Sequence, residues 1–138
     1  MKPEIIRLNL LSPLFYLPQE PMVLGFRRED EEKLLCFELE EAVAQEFLPD
    51  KTHFPGSLVF AGKVTSPSVP GEPVMELTQG AYIFSQIKEI LEMDEIVELA
   101  VEVQNEGLWQ RLKLARRFFV RYLFEEGRGV TQIWRAYT

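Results

Sequence analysis

At 138 residues, 46% of them hydrophobic and 12% aromatic, the chain can bury about two-thirds of its unfolded surface. This excludes a disordered polypeptide and predicts a single globular domain over residues 1–138. A formal net charge of −7 sets the molecule as a whole against nucleic acid and anionic lipid. The one cysteine, Cys36, forms no internal disulfide and points to a reduced, cytoplasmic setting, and no run nears the roughly 18–20 apolar residues of a membrane span.

In chain order, Glu4–Leu10 is extended, and Leu8–Leu17 is too interrupted by Pro13 to be a signal core and lacks a cleavage site. Pro13, Pro18 and Pro21 predict an irregular apolar connection. Met22–Arg27 and Leu34–Leu39 read as strands of a hairpin around the acidic turn Arg28–Lys33. Glu40–Leu48 reads as a short helix, with Ala42, Val43 and Phe47 inward, ended by Pro49. Ser57–Val64 is a strand, Ser66–Pro73 a loop, and Tyr82–Gln86 a strand after the Gln79-Gly80 turn. Ile96, Leu99, Ala100 and Val103 recur at helical spacing, which predicts a helix from an Asp94 cap to a stop at Gly107. Its other side, Glu95, Glu98, Glu102 and Glu106, reads as a solvated acidic face. No internal repeat is visible. The expected fold class is α+β: a mostly antiparallel sheet with a C-terminal β-hairpin, packed by one main and one short helix.

Residues 107–138 carry seven Lys/Arg against two acids, whereas 1–106 carry eight against twenty, so the tail is +5 and the remainder −12. Phe118–Glu125 and Val130–Tyr137 flank Glu126-Gly127-Arg128-Gly129 and predict a hairpin with Gly127 and Arg128 at its tip. That register pairs Glu125 with Val130, Leu123 with Gln132, Arg121 with Trp134 and Phe119 with Ala136. It puts Phe118, Val120, Tyr122, Phe124, Thr131, Ile133, Arg135 and Tyr137 on the core side. A cation–π contact between Arg121 and Trp134 follows on the other face.

Chemistry-bearing motifs are sparse. Cys36 and His53 are too few soft ligands for zinc, and Glu29-Asp30-Glu31-Glu32 lacks calcium-loop spacing, so no metal is expected. His53, with Asp50 nearby and Ser57 or Ser85 as a nucleophile, lacks the setting of a catalytic triad. Cys36 sits in an apolar strand and reads as an inert core thiol. There is no phosphate loop, and Gly127-Arg128-Gly129 alone is a turn, so no cofactor is expected.

Two features remain. One is the basic, aromatic tail: Arg111, Arg116, Arg117, Arg121, Arg128, Arg135 and Trp134 form a candidate basic surface for nucleic acid or phosphate. The competing reading pairs these arginines with the acidic helix and the Glu29–Glu32 turn. The other is Leu77–Gln86, a glycine-turned strand carrying Tyr82 and Phe84, followed by an amphipathic helix and closing strands. In element order, residues 75–137 resemble the second half of GyrI-like small-molecule sensor domains. The resemblance implies a pocket bordered by Tyr82, Phe84 and Trp109 for an apolar or cationic ligand. The expected function is a non-catalytic cytoplasmic accessory or sensor domain that binds a protein partner or small molecule. Nucleic-acid binding through the hairpin, a carboxylate-only hydrolase, and self-association through the hairpin face are the alternatives; no membrane partner is expected.

Overall fold

The computed structural model describes residues 4–20, 31–49, 54–67 and 71–138. Among these, the β-branched and aromatic runs form eight strands and one α-helix. The elements are β1 (Ile5–Leu10), β2 (Leu14–Pro18), β3 (Lys33–Leu39), β4 (Gly56–Thr65), β5 (Met75–Leu77), β6 (Gly80–Ile87), α1 (Met93–Trp109), β7 (Leu114–Glu125) and β8 (Arg128–Tyr137). All strand pairs are antiparallel, in one sheet of order β1-β6-β8-β7-β3-β4-β2-β5.

This order hides a repeat that the letters do not show. Exchanging β1 with β5, β2 with β6, β3 with β7 and β4 with β8 reverses the order and leaves it otherwise unchanged. The halves β1–β4 and β5–β8 are therefore related by a topological two-fold between β3 and β7. They differ in their connections. The β6–β7 link contains α1, whereas the β7–β8 link is a two-residue turn and the β3–β4 link is sixteen residues long.

The sheet is curled, as chain length requires. Only residues 11–13 separate β1 from β2, which lie six places apart in the order. Flat, that is roughly 29 Å at about 4.8 Å per strand, while the link reaches at most about 14 Å. The edges are drawn together around one face. Tyr16, Leu34, Cys36, Leu77, Tyr82, Phe84, Phe119 and Trp134, from six strands, form a single buried cluster on this inner face.

The outer face is covered by α1 and by the β3–β4 link. Ile96, Leu99, Ala100 and Val103 are buried as the periodicity predicts, against Leu35, Phe37, Val120 and Ile133; each large side chain contributes about 1.5–3 kcal/mol relative to exposure. The link supplies Phe54, edge-on to Phe118 at 4.6 Å, and Phe118 stacks on Phe37 at 5.0 Å. Amide side chains fasten it. Gln104 donates to the carbonyls of Val43 and Glu46, and Asn105 exchanges two bonds with the Leu48 backbone.

Several expectations are corrected. The proline-rich connection contains β2, because Pro13 precedes the strand and Pro18 ends it, where a missing N–H is tolerated. The expected short helix is one 3₁₀ turn, Glu41–Val43, and Phe47 is 57% exposed. Glu92, not Asp94, caps α1 through a reciprocal box with Glu95. Gly107 lies inside the helix, since a Cβ there would meet Leu114 Cδ2 at 2.7 Å; the chain reverses at Arg111, φ 62°. The hairpin turns at Glu126-Gly127, with φ of 53° and 77°, the left-handed pair that a two-residue turn between twisted strands requires. The register therefore moves by two residues from the expected one. The faces are kept, but Arg121 lies opposite Gln132 and Trp134 opposite Phe119. Expectations for residues 22–30, the first hairpin strand and most of its acidic turn, lie outside the described residues, as do those for Asp50 and His53.

Candidate functional site: a polar relay on an aromatic sheet face

Strand register lays two rows side by side across the inner face. Phe84, Trp134, Phe119, Cys36 and Phe60 are cross-strand neighbours from β6 to β4. Alternation places Gln86, Gln132 and Arg121 in the next row, with Leu34 following. The first row packs tightly: Trp134 lies 4.5 Å from Phe84 and 5.5 Å, edge-on, from Tyr82, between ring centroids. Tyr82 donates to the Thr78 carbonyl at 2.6 Å.

The second row is a continuous relay of hydrogen bonds. Gln132 Nε2 donates to Gln86 Oε1 at 2.8 Å, and Gln132 Oε1 accepts from Trp134 Nε1 at 3.1 Å and from Arg121 Nη1 at 3.4 Å. Arg121 Nη2 donates to Glu32 Oε1 at 2.7 Å, and Tyr16 Oη donates to Glu32 Oε2 at 2.5 Å. Tyr16 and Trp134 are sealed, whereas the ion pair stands at a rim, with Glu32 19% and Arg121 16% exposed. Val64 borders this rim: it lies opposite Tyr16, donates its N–H to the Glu32 carbonyl, and is 48% exposed.

The electrostatics follow from burial and pairing. Burial pushes the Tyr16 hydroxyl well above its usual range, so it stays a neutral donor to the carboxylate. Burial opposes charge on Arg121, but its pairing with Glu32 outweighs it and holds its pKa above the ordinary value. Burial also pushes the Cys36 thiol up to about 12, against any nucleophilic role at neutral pH.

The predicted site residues separate into different places. Tyr82 and Phe84 do share a face, but with Trp134. Trp109, at the end of α1 beyond the other face, is 78% exposed. Of the basic set, Arg111, Arg116, Arg117 and Arg128 are exposed, Arg117 facing Glu38 at 3.3 Å and Arg116 donating to the Leu39 carbonyl. Arg121 and Trp134 belong to the relay. Arg135 is 1% exposed, bonded to the Ala115 carbonyl and to Gln104 Oε1, and burial without a carboxylate lowers its pKa to about 10. Arg121 thus meets Glu32, at the end of the acidic turn, and Arg117 meets Glu38. Glu32 was hidden in the acidic run. Its signal was parity: Glu32, Leu34 and Cys36 alternate onto one face, which makes Glu32 the polar end of a buried row.

A groove of about 890 Å³ runs beside α1. Glu4, Glu89, Glu95, Glu98 and Glu102 line it above Leu91 and Leu99, with Lys88 and Arg128 also on its wall. At the start of α1 the exposed carboxylates of Glu92, Asp94 and Glu95 lie within 4.8 Å of one another, with Glu92 and Glu95 engaged in the capping box. No described helix is long and apolar enough to cross a membrane.

No family model and no curated protein matches the chain. Among solved structures, it is similar to SAV2435 bound to tetraphenylphosphonium, at TM-score 0.50 and 11% identity, over 100% of this chain and 94% of that one. A candidate bacterial transcription regulation protein from Staphylococcus aureus MU50 aligns at TM-score 0.49 and 10% identity, over 100% and 99%. At 11% identity, the likeness to SAV2435 is one of fold.

Proposed function

We propose that this protein is a non-catalytic cytoplasmic sensor or accessory domain that binds a small organic cation with an apolar body at the Glu32 end of the relay. One observation carries the reading: a carboxylate with solvent access, braced by a sealed tyrosine, stands at the rim of an aromatic sheet face. Partial desolvation strengthens attraction between Glu32 and a cation relative to water. Val64 offers the ligand's apolar part a surface beside the charge. Tetraphenylphosphonium, bound by the similar fold of SAV2435, is a ligand of this chemistry and the natural probe.

The test is a titration with tetraphenylphosphonium followed by tryptophan fluorescence in a Trp109→Phe background. Trp134, whose indole bonds the relay, is then the sole reporter. Saturable quenching is expected, weakened about tenfold or more by Glu32→Gln. Absence of saturation, or equal affinity in a folded Glu32→Gln variant, removes the reading.

The groove beside α1 supports a second reading, because its carboxylates surround apolar Leu91 and Leu99. Cation binding there would be lost on Glu95→Gln with Glu98→Gln and unaffected by Glu32→Gln.

A further inference from the structure

We infer that Arg121 is an internal competitor: its guanidinium occupies on Glu32 the place that a cationic ligand takes, and so it sets the affinity of the site. The inference rests on Glu32 being the ligand's counter-charge, and it follows from what Arg121 holds and what it would leave behind.

Arg121 has one strong bond, to Glu32 Oε1 at 2.7 Å, and one at the limit, to Gln132 Oε1 at 3.4 Å. Its Nε is buried with no partner among the described residues. Arg135 Nη2 is likewise buried without a partner among the described residues, so what distinguishes Arg121 is its ion pair with Glu32 and its place at the rim. At 16% exposure the head group sits where a rotation of the side chain reaches water, with the stem still lying on the sheet.

Both partners of Arg121 have a second donor. Glu32 keeps the Tyr16 hydroxyl on its other oxygen, and Gln132 Oε1 keeps the Trp134 indole N–H. Departure of the guanidinium therefore strands no buried acceptor except Glu32 Oε1. That oxygen remains aimed where Arg121 was, because Tyr16 still orients the carboxylate. A neutral or anionic molecule entering there would leave the carboxylate uncompensated, so exchange is open only to a cation.

Across the sheet the contrast is Arg135, whose removal would leave the Ala115 carbonyl without its side-chain donor. It is sealed under α1, and it has no carboxylate to release.

The decisive experiment compares tetraphenylphosphonium affinity in the wild type, Arg121→Met, Glu32→Gln and the double variant, with folding checked by circular dichroism. Arg121→Gln serves as a second neutral replacement should Arg121→Met lose its structure. A neutral residue at 121 is expected to tighten binding about tenfold, and Glu32→Gln should abolish that gain in the double variant. If Glu32→Gln weakens binding but neither neutral variant tightens it, Arg121 is not a competitor, although Glu32 remains the site. If Glu32→Gln changes nothing in the wild type, the site reading itself has failed. Tightening that persists in the double variant would also overturn the proposal, since Arg121 would then act by general repulsion.

Discussion

Arg121 and Arg135 stand on paired strands of one hairpin, β7 and β8, and face opposite sides of the sheet. Arg135 is enclosed by α1 and β7, with a carbonyl and an amide as partners and its pKa drawn down to about 10. Arg121 is at a rim, with a carboxylate that holds its pKa up. The lesson is that burial alone does not mark a functional arginine. A sealed cation without a counter-ion ties elements together. A cation paired at a rim occupies a charge that something else can take.

The largest expected effect tests how tightly both faces are sealed. Burial raises the hydroxyls of Tyr16 and Tyr82 on the inner face and Tyr122 on the outer. A phenol whose folded pKa is raised stabilises the fold fully below its unfolded value near 10, and the contribution is lost as pH climbs beyond that. Cooperative unfolding above about pH 10–11 is therefore expected, with phenolate absorbance at 295 nm rising together with the loss of circular dichroism. Early titration of these three in the folded protein would show that one face is open.

Arg135→Ala should come next. It empties the space beneath α1 and leaves the Ala115 carbonyl and Gln104 Oε1 without their donor, while relieving a buried charge. A net loss of about 3 kcal/mol in urea unfolding is expected. Arg121→Ala, at the rim, should cost about 1 kcal/mol, since its partners keep Tyr16 and Trp134. Equal losses would erase the distinction between the two arginines. The smallest effect concerns the turn that sets the hairpin register. Glu126→Asn, at φ 53°, should stabilise by about 0.5 kcal/mol, because asparagine tolerates the left-handed region better. A destabilised variant would mean that the turn conformation is not the controlling feature.

Much of the scaffold was legible because its signals are local. The apolar stripe from Ile96 to Val103 announced the face of α1, and alternation in 118–125 and 130–137 announced the faces of the hairpin. Those faces survived a two-residue error in register, since strand periodicity is two. The register itself depends on which two residues can be left-handed together, and Gly127 pairs with Glu126, not with Arg128. Gly107 resembled a helix stop because sequence shows a missing side chain but not Leu114 pressing on the space. The repeat of the two halves was illegible, as it resides in strand order alone.

By itself, then, the sequence determined the α+β class, most of the strands, and the split of β7 and β8 into two faces, because burial patterns are written in neighbouring residues. It also separated a basic tail from an acidic remainder. Which charges meet was decided by tertiary structure. Glu32 and Arg121 are 89 residues apart, joined only when β3 pairs with β7, and Tyr16 completes the set only when the curled sheet brings β2 alongside. Periodicity is a property of a segment, whereas an ion pair on a sheet is a property of strand order and curl.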